Sequence, residues 1–143
     1  MTVSVKQLAK QFRDGTRAVR GIDLDIADGE FLTLLGPSGC GKTTTLRLIA
    51  GLEEPTEGSI SINKRDVTNI DPGDRNVAMV FQSYALYPHM TALQNMTLGL
   101  TVGGMSKAEA AEMARETARL LGIEKLLERK PAKLSGGERQ RVA

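Results

Sequence analysis

The sequence predicts an α/β fold in a single domain. Three observations predict it: apolar and polar residues alternate over residues 3–8, 22–26 and 60–62, a glycine-rich loop precedes a helix within residues 36–51, and helical periodicity begins at residue 91. The chain has 143 residues, of which 41% are hydrophobic and 25% are charged. That composition is typical of a globular protein.

The strands are predicted mainly in the first half of the chain. The alternating runs read as half-buried strands, and the turn signal Asp28-Gly29 predicts a hairpin from residues 22–26 into the apolar run Phe31–Leu35. After a predicted loop at Asp66–Asn76, the continuous apolar run Val77–Phe81 predicts a strand buried on both faces, as in a parallel sheet.

Capping boxes predict the starts of three helices. A hydroxyl residue stands three positions before Glu or Gln at Thr91 and Gln94, at Ser106 and Glu109, and at Ser135 and Glu138. The middle helix is predicted to end at Gly122, and its buried face is predicted to carry Ala111, Ala114, Ala118 and Leu121. A short helical piece at Glu124–Arg129 is predicted to stop before Pro131.

The glycine-rich loop fits a nucleotide-binding pattern. The P-loop pattern G-x-x-x-x-G-K-[ST] is matched by Gly36, Gly41, Lys42 and Thr43. The loop lies between a strand-length apolar run and a predicted helix, Thr43–Ala50, that ends at Gly51. The alternative is a chance glycine- and serine-containing turn in front of a core helix.

The chemistry of this loop is electrostatic. Its glycines let successive backbone N–H groups turn inward to bind phosphate oxygens, and the start of the helix adds a partial positive charge. Lys42 would reach the β- and γ-phosphates, and the Thr43 hydroxyl would ligate Mg²⁺. The predicted nucleotide-binding residues of the loop are Gly36, Pro37, Ser38, Gly39, Cys40, Gly41, Lys42, Thr43 and Thr44.

Composition argues against several other classes of protein. The net charge of +2 implies neither a strong polyanion nor an acidic membrane surface as partner, and the lack of tryptophan argues against base-stacking surfaces for nucleic acid. No apolar run approaches a membrane span, and the N-terminus has no signal-peptide pattern. Cys40 is the only cysteine, so no internal disulfide is possible. We therefore expect a cytosolic protein with no nucleic acid partner and no direct membrane insertion.

Three motifs in order carry a family resemblance. They are GPSGCGKTT at residues 36–44, VFQSYALYPHMT at residues 80–91 and LSGGERQRVA at residues 134–143. Together they resemble the ATPase domain of ATP-binding cassette (ABC) transporters, and in detail the ATPase subunits of bacterial sugar and glycerol-phosphate importers. The resemblance runs from about residue 2 to the last residue.

The resemblance implies the fold and its division. It implies a P-loop NTPase with an ABC-type antiparallel β subdomain and a partial α-helical subdomain. Residues 1–90 would form the β subdomain and P-loop core through the Q-loop, residues 91–134 the helical subdomain, and residues 135–143 the signature motif with the start of its helix.

The resemblance also implies roles for single residues. Phe12 lies where the family places an aromatic ring against adenine; the alternative is a hydrophobic residue that packs at a strand end. Gln82 resembles the Q-loop glutamine, so it is predicted, with Lys42, as catalytic and, with Thr43, as a contact of Mg²⁺; the alternative is a polar residue that ends a buried strand. The signature resembles a site for the ATP of the opposite subunit and comprises Ser135, Gly136, Gly137 and Glu138. Standing alone, it would be an ordinary capping box.

Residues 83–91 resemble the lip of a groove where a permease helix docks. The predicted docking residues are Tyr84, Leu86, Tyr87, Pro88, His89 and Met90. Packed against the protein's own helices, the same residues would be plain core. His89 is the only histidine and is predicted neither as the family's switch histidine nor as a metal ligand.

The implied function is to couple ATP binding and hydrolysis to solute import, with carbohydrate as the expected cargo. The expected partners are ATP with Mg²⁺, a second ATPase subunit in a head-to-tail homodimer or pair, and transmembrane permease subunits, which would hold the chain at the cytoplasmic face of the membrane. The family's Walker-B strand and switch histidine are not in this sequence. We therefore expect an N-terminal fragment with an incomplete sheet, which binds ATP with little or no hydrolysis alone.

Two alternatives to this function stay open. One is a nucleotide-binding fragment that does not hydrolyse ATP. The other is an ABC ATPase of the DNA-repair type, which would carry a long coiled coil between the Q-loop and the signature, whereas residues 83–134 show short capped helices.

Overall fold

The computed structural model describes residues 1–143, which form two compact units. Residues 1–79 hold a β-sheet and one helix, and residues 80–143 hold three helices. Each unit has a hydrophobic core of its own. None of the helices is long and apolar enough to cross a membrane.

The first unit is built on a four-stranded antiparallel sheet. In the sheet order β2-β1-β3-β4, the strands are β1 (Val3–Gln11), β2 (Arg17–Ile26), β3 (Glu57–Ile62) and β4 (Arg65–Asp66). β1 pairs with β2 on one side and β3 on the other, so that Val5 lies opposite both Leu24 and Ile60. The three alternating strands predicted from the sequence are confirmed, and each is longer than predicted.

One face of this sheet packs against helix α1 (Lys42–Ala50). The buried residues of this core are Val3, Val5, Leu8, Val19, Leu48, Ile60, Ile62 and Val67. Leu48 of α1 is fully buried, whereas Leu46 is 49% exposed. α1 therefore packs by one side only.

A bulge in β1 brings Leu8 into the core. Val5 and Leu8 are three residues apart and would face opposite sides of a regular strand, yet both are fully buried. The pairing register shifts between them, and Gln7 takes a positive φ of 46°. The Gln7 N–H donates to the Asp23 carboxylate at 2.9 Å, and the Gln7 side-chain amide donates to the same carboxylate. An extra residue in the strand thus turns Leu8 inward.

Two predicted strands are absent. Neither Phe31–Leu35 nor Val77–Phe81 pairs with another segment; Phe31 and Leu35 are 93% and 87% exposed. The Asp28-Gly29 turn forms, but the hairpin partner of β2 is β1. The prediction was wrong because a strand needs neighbours to accept and donate its backbone hydrogen bonds, and no part of residues 1–143 supplies them for these runs.

The predicted loop after β3 is shorter than expected and holds a 3-10 turn. β4 reaches Asp66, and Pro72–Asp74 forms one turn of 3-10 helix. Val67 between them is 2% exposed and belongs to the sheet core.

The second unit contains helices α2 (Ala92–Val102), α3 (Lys107–Leu120) and α4 (Gly136–Val142). All three predicted capping boxes are confirmed, with both hydrogen bonds present at each. The core between the helices consists of Ala92, Ala118, Ile123, Leu126, Leu127, Leu134 and Val142.

The buried face of α3 differs by one position from the prediction. The buried residues are Ala110, Ala114 and Ala118, whereas Ala111 is half-buried and Leu121 is 43% exposed. The prediction for Leu121 was wrong although its N–H still donates to the Thr117 carbonyl at 3.0 Å, as in a helix, because no part of the helical core covers its side chain. The predicted helical piece Glu124–Arg129 is also shorter, a 3-10 turn at Glu124–Leu126.

We predict that Gly58→Ala destabilises the protein by about 2 kcal/mol or more. Gly58 has φ 88°, and a Cβ there would lie 2.4 Å from the Gln7 carbonyl oxygen at the bulge. The measurement is the free energy of unfolding in urea. Gly73→Ala is the control, because a Cβ at Gly73 meets no atom within 4 Å and its φ is not left-handed. Equal losses in both variants would contradict this account of the bulge.

Candidate functional site

The start of helix α1 has backbone N–H groups without hydrogen-bond partners. Its N-cap, Gly41, is left-handed at φ 93° and has no side chain to accept a hydrogen bond. The structure gives no acceptor to the backbone N–H groups of Lys42, Thr43 or Thr44, and no acidic residue lies in the first turn. In α2, α3 and α4, by contrast, a hydroxyl accepts from the third N–H. Unpaired N–H groups at a helix start attract anions.

The loop before α1 is pressed against strand β2. A Cβ on Gly41 would lie 2.2 Å from the carbonyl oxygen of Ala18. The Gly41 carbonyl accepts hydrogen bonds from the Thr45 N–H at 2.8 Å and the Thr45 hydroxyl at 3.0 Å. Glycine is therefore needed at position 41 both for its backbone angle and for this close contact.

Lys42 lies over the loop that precedes it. Its ammonium donates to the carbonyl oxygens of Gly36 and Pro37, both at 2.8 Å, and lies 3.5 Å from the Cys40 sulfur. Cys40 is exposed and unpaired. The lysine charge is thus held at the centre of the glycine-rich loop, beside the open helix start.

These residues fit a ligand that brings both phosphate and metal. Backbone N–H groups and one ammonium bind phosphate oxygens, and the exposed Thr43 offers a hydroxyl of the kind that binds Mg²⁺ together with substrate phosphates. No cluster of three or more His, Cys, Asp or Glu side chains that could hold a metal ion is present in residues 1–143. A metal at this site would therefore be shared with a phosphate ligand.

Phe12 lies in the turn between β1 and β2. Its N–H donates to the Thr16 carbonyl at 2.9 Å, and its side chain is 38% exposed. The Lys10 ammonium lies 5.3 Å from the ring centroid and pairs with Glu53 at 2.8 Å. The ring is not part of the sheet core, so packing at a strand end does not account for it.

The predicted docking segment contains both half-buried and exposed residues. Leu86 packs against the helical core, whereas Tyr87 is 49% exposed and touches His89 edge-to-face, with ring centroids 6.0 Å apart. Gln82 is exposed, and Tyr84 has a strained positive φ of 63°. The interpretation as core therefore applies to Leu86, which packs against the helical core, and not to the exposed Tyr87.

Asn95, which the sequence analysis missed, fixes this segment. Its side-chain oxygen accepts from the Tyr87 N–H at 2.7 Å. Its amide nitrogen donates to the carbonyls of Tyr87 at 3.2 Å, Met90 at 3.4 Å and Thr91 at 2.9 Å. An asparagine in the first turn of a helix is a weak helix former, which was the only signal in the sequence.

The signature residues open helix α4. The Ser135 hydroxyl accepts from the Glu138 N–H at 3.3 Å, and the Glu138 carboxylate accepts from the Ser135 N–H at 2.6 Å. A Cβ on Gly136 or Gly137 would meet no atom within 4 Å, and neither residue is left-handed. Nothing within this chain therefore requires glycine at these two positions.

Arg75 is the second residue that the sequence analysis missed. It lies within the predicted loop at Asp66–Asn76, and it is 4% exposed and donates four hydrogen bonds to main-chain carbonyls, two of them at the end of α1. No sequence pattern marks a residue whose partners are carbonyl groups.

Comparison with known proteins agrees with these features. Residues 19–143 match the ABC transporter family, and the chain belongs to that family. It is 51% identical over 141 residues to the sn-glycerol-3-phosphate import ATP-binding protein UgpC of Escherichia coli O157:H7, and 56% identical over 142 residues to the osmoprotective compounds uptake ATP-binding protein GgtA of Synechocystis sp.. Each match covers 99% of this chain but only 40% and 39% of the relative, so the chain spans about two fifths of their length.

Solved structures show the same fold. The dimeric ATP-binding cassette MJ0796 bound to ADP and Pi superposes with a TM-score of 0.88 at 35% identity, over 98% of this chain and 66% of that one. The ADP form of the ABC cassette MJ1267 gives 0.82 at 25% identity, over 99% and 62%. The predicted family and the predicted α/β fold class are therefore confirmed.

We predict that the pKa of Glu138 lies below the ordinary value of a glutamate. The Ser135 N–H and hydroxyl, which hydrogen bond in the capping box, lower it by favouring the charged carboxylate. The stabilisation is therefore present above the unfolded-state pKa and is lost as the pH falls through the folded-state pKa. NMR titration of the Glu138 carboxyl carbon measures it.

The matched variants for this titration are Ser135→Ala and Ser106→Ala. Ser135→Ala should raise the pKa of Glu138 toward the ordinary value. Ser106→Ala disrupts the equivalent capping box of α3 and should leave the pKa of Glu138 unchanged. Ser135→Ala removes the hydroxyl but keeps the Ser135 N–H, which is the larger cause, so a Glu138 pKa that does not respond would show that the hydroxyl does not contribute to the shift.

Proposed function

We propose that this chain binds ATP with Mg²⁺ through the loop at residues 36–44 and is the ATP-binding part of an ABC importer ATPase. The observation that carries the proposal is the uncapped start of α1, with the Lys42 ammonium held over the loop beside it. Both relatives are ATP-binding proteins by name, and MJ0796 was solved with ADP and Pi.

The proposed binding residues have distinct tasks. The N–H groups of the loop and of the first turn of α1 receive the phosphates, and Lys42 contacts the β- and γ-phosphates. Thr43 supplies a hydroxyl to Mg²⁺, with Gln82 as a further polar contact to the metal or the attacking water. Phe12 offers a ring face to the base.

Hydrolysis by these residues alone is proposed to be slight. Phosphoryl transfer requires a held metal and an oriented water molecule. Gln82 and Lys42 are the proposed catalytic residues in this chain, which lacks the family's Walker-B strand and switch histidine. Bound MgATP should therefore persist in this chain, while the whole protein acts as an ATPase.

A second ATPase subunit is the proposed partner at the start of α4. Gly136 and Gly137 leave the first two positions of that helix without side chains, and neither glycine is explained by contacts within the chain; Glu138 follows them in the same turn. Such a surface lets a phosphate approach the backbone closely. The Ser135 hydroxyl, which accepts a hydrogen bond from the Glu138 N–H, lies at the same helix start.

Transmembrane permease subunits are the proposed partners of residues 84–90. Tyr87, Pro88 and His89 are exposed on this segment, and Asn95 holds its backbone in one shape. This partner would keep the chain at the cytoplasmic face of a membrane. The names of the two relatives give different transported compounds, although both proteins are at least 51% identical to this chain. This difference supports the proposal that other subunits select the solute.

We predict that Lys42→Ala abolishes MgATP binding, measured by isothermal titration calorimetry. The variant removes the only ammonium that lies on the loop, and charge-assisted hydrogen bonds to phosphate are about twice as strong as neutral ones. Lys107→Ala on the surface of α3 is the control. Wild-type affinity in Lys42→Ala would refute the proposed site.

We predict that Phe12→Ala weakens the binding of ATP and GTP alike by about 1–3 kcal/mol, the range for a base stacked on an aromatic ring. Stacking uses the face of a ring, which all purines share, so the loss should not depend on the base. Phe31→Ala is the control, because Phe31 is 93% exposed and outside the proposed site. No loss for either nucleotide would remove Phe12 from the site.

A further inference from the structure

A buried arginine binds the C-terminal end of α1. The loop at residues 36–44, which we call the phosphate loop because of the proposed function, lies at the opposite end. Arg75 follows the 3-10 turn Pro72–Asp74, and its guanidinium donates to the carbonyls of Leu48 at 2.9 Å and Ile49 at 3.1 Å. It also donates to the carbonyls of Ile70 at 2.8 Å and Thr68 at 3.1 Å. One side chain thus connects the last turn of α1 to the segment that follows β4.

The charge of Arg75 is balanced by the helix and not by an ion pair. None of the ion pairs in the structure includes Arg75. The carbonyls at the C-terminal end of a helix lack helical partners and carry a partial negative charge, which favours a cation there. Burial lowers the pKa of the guanidinium, and Asp71 opposes that shift. Arginine remains charged in proteins and has five N–H donors, four of which these carbonyls satisfy.

Glycine at position 51 makes this contact possible. Gly51 is the C-cap of α1, and a Cβ there would lie 2.4 Å from Nε and 2.8 Å from Cζ of Arg75. Its φ of 79° is left-handed. The guanidinium therefore lies directly against the backbone at the helix end, where any side chain at position 51 would displace it.

The position of the phosphate loop follows from the position of α1. The helix has nine residues and is about 13 Å long, so a tilt at its C-terminal end moves the N–H groups and Lys42 at its start. Only one side of α1 is buried in the sheet core, and its two ends are therefore important restraints.

We propose that Arg75 is a positioning residue for nucleotide binding: by holding the last carbonyls of α1, it orients the N–H groups and Lys42 at the start of the helix toward the phosphates. This inference rests on the proposed function. It differs from a purely stabilising role, in which Arg75 would change the free energy of unfolding but not the affinity of the folded protein for MgATP.

The first experiment compares Arg75→Met and Arg75→Lys with wild type in the full 143-residue chain. Calorimetry gives the Kd for MgATP at a temperature where amide NMR spectra show each variant to be folded. We expect Arg75→Met to raise the Kd about tenfold and Arg75→Lys, which keeps the charge but has fewer donors, to recover part of the loss. The backbone amide resonances of Gly41, Lys42 and Thr43 should shift in Arg75→Met without nucleotide.

A control separates positioning from stability. Ile62→Ala removes core volume from β3, where Ile62 is 4% exposed, and should lower the free energy of unfolding without changing the Kd. A folded Arg75→Met with the wild-type Kd would overturn the proposal. If wild type itself fails to bind MgATP, the proposed function fails instead, so the two failures are distinguishable.

A second measurement needs no variant and decides the case if Arg75→Met does not fold. Coupling between two sites is reciprocal, so a ligand that depends on Arg75 must in turn stabilise the contacts of Arg75. Saturating MgATP should slow the hydrogen exchange of the Arg75 Nε–H more than that of the Ile60 N–H, which donates to the Thr68 hydroxyl at 2.9 Å in the same unit. Equal slowing of both would overturn the proposal.

Discussion

Two backbone contacts that only glycine permits determine where helix α1 lies. At its start, Gly41 approaches the carbonyl oxygen of Ala18 so closely that a Cβ would be 2.2 Å from it. At its end, Gly51 approaches the guanidinium of Arg75, where a Cβ would be 2.4 Å from Nε. Because the two contacts connect α1 to different segments of the chain, the helix cannot tilt without loss at one end. The two contacts at the ends of α1 therefore also restrain the orientation of the phosphate loop.

Three of the four α-helices have a side-chain cap at their N-terminal end, and α1 has none. Three helices begin with a reciprocal capping box, which is worth roughly 1 kcal/mol each as a local stabilisation. α1 forgoes that stabilisation and keeps its N–H groups free. α4 is capped like α2 and α3, but it has glycine at its first two positions. The uncapped start of α1 and the glycine-containing start of α4 are the ones that the sequence motifs single out.

The sequence predicted those parts of the fold that depend on neighbours along the chain. The capping boxes and the glycine at the end of α1 are local, because donor and acceptor lie within a few residues of each other. The apolar runs 31–35 and 77–81 were wrongly predicted as strands, because their formation depends on pairing partners elsewhere in space. Arg75 and Asn95 were missed because they bind carbonyl groups, which every residue possesses and which therefore leave no trace in the sequence.

The contacts of Lys42 within the loop are compatible with the phosphate binding that we propose. The ammonium is held by two neutral carbonyls, of Gly36 and Pro37, at 2.8 Å each. Exchange of these partners for charged phosphate oxygens is favourable, because charge-assisted hydrogen bonds are about twice as strong. The released carbonyls lie on exposed residues and can bind water, so they are not left unsatisfied. The Lys42 ammonium that stabilises the loop can therefore bind the proposed phosphate ligand at a small cost in free energy. The orientation of α1 determines how well the ammonium and the phosphate are aligned.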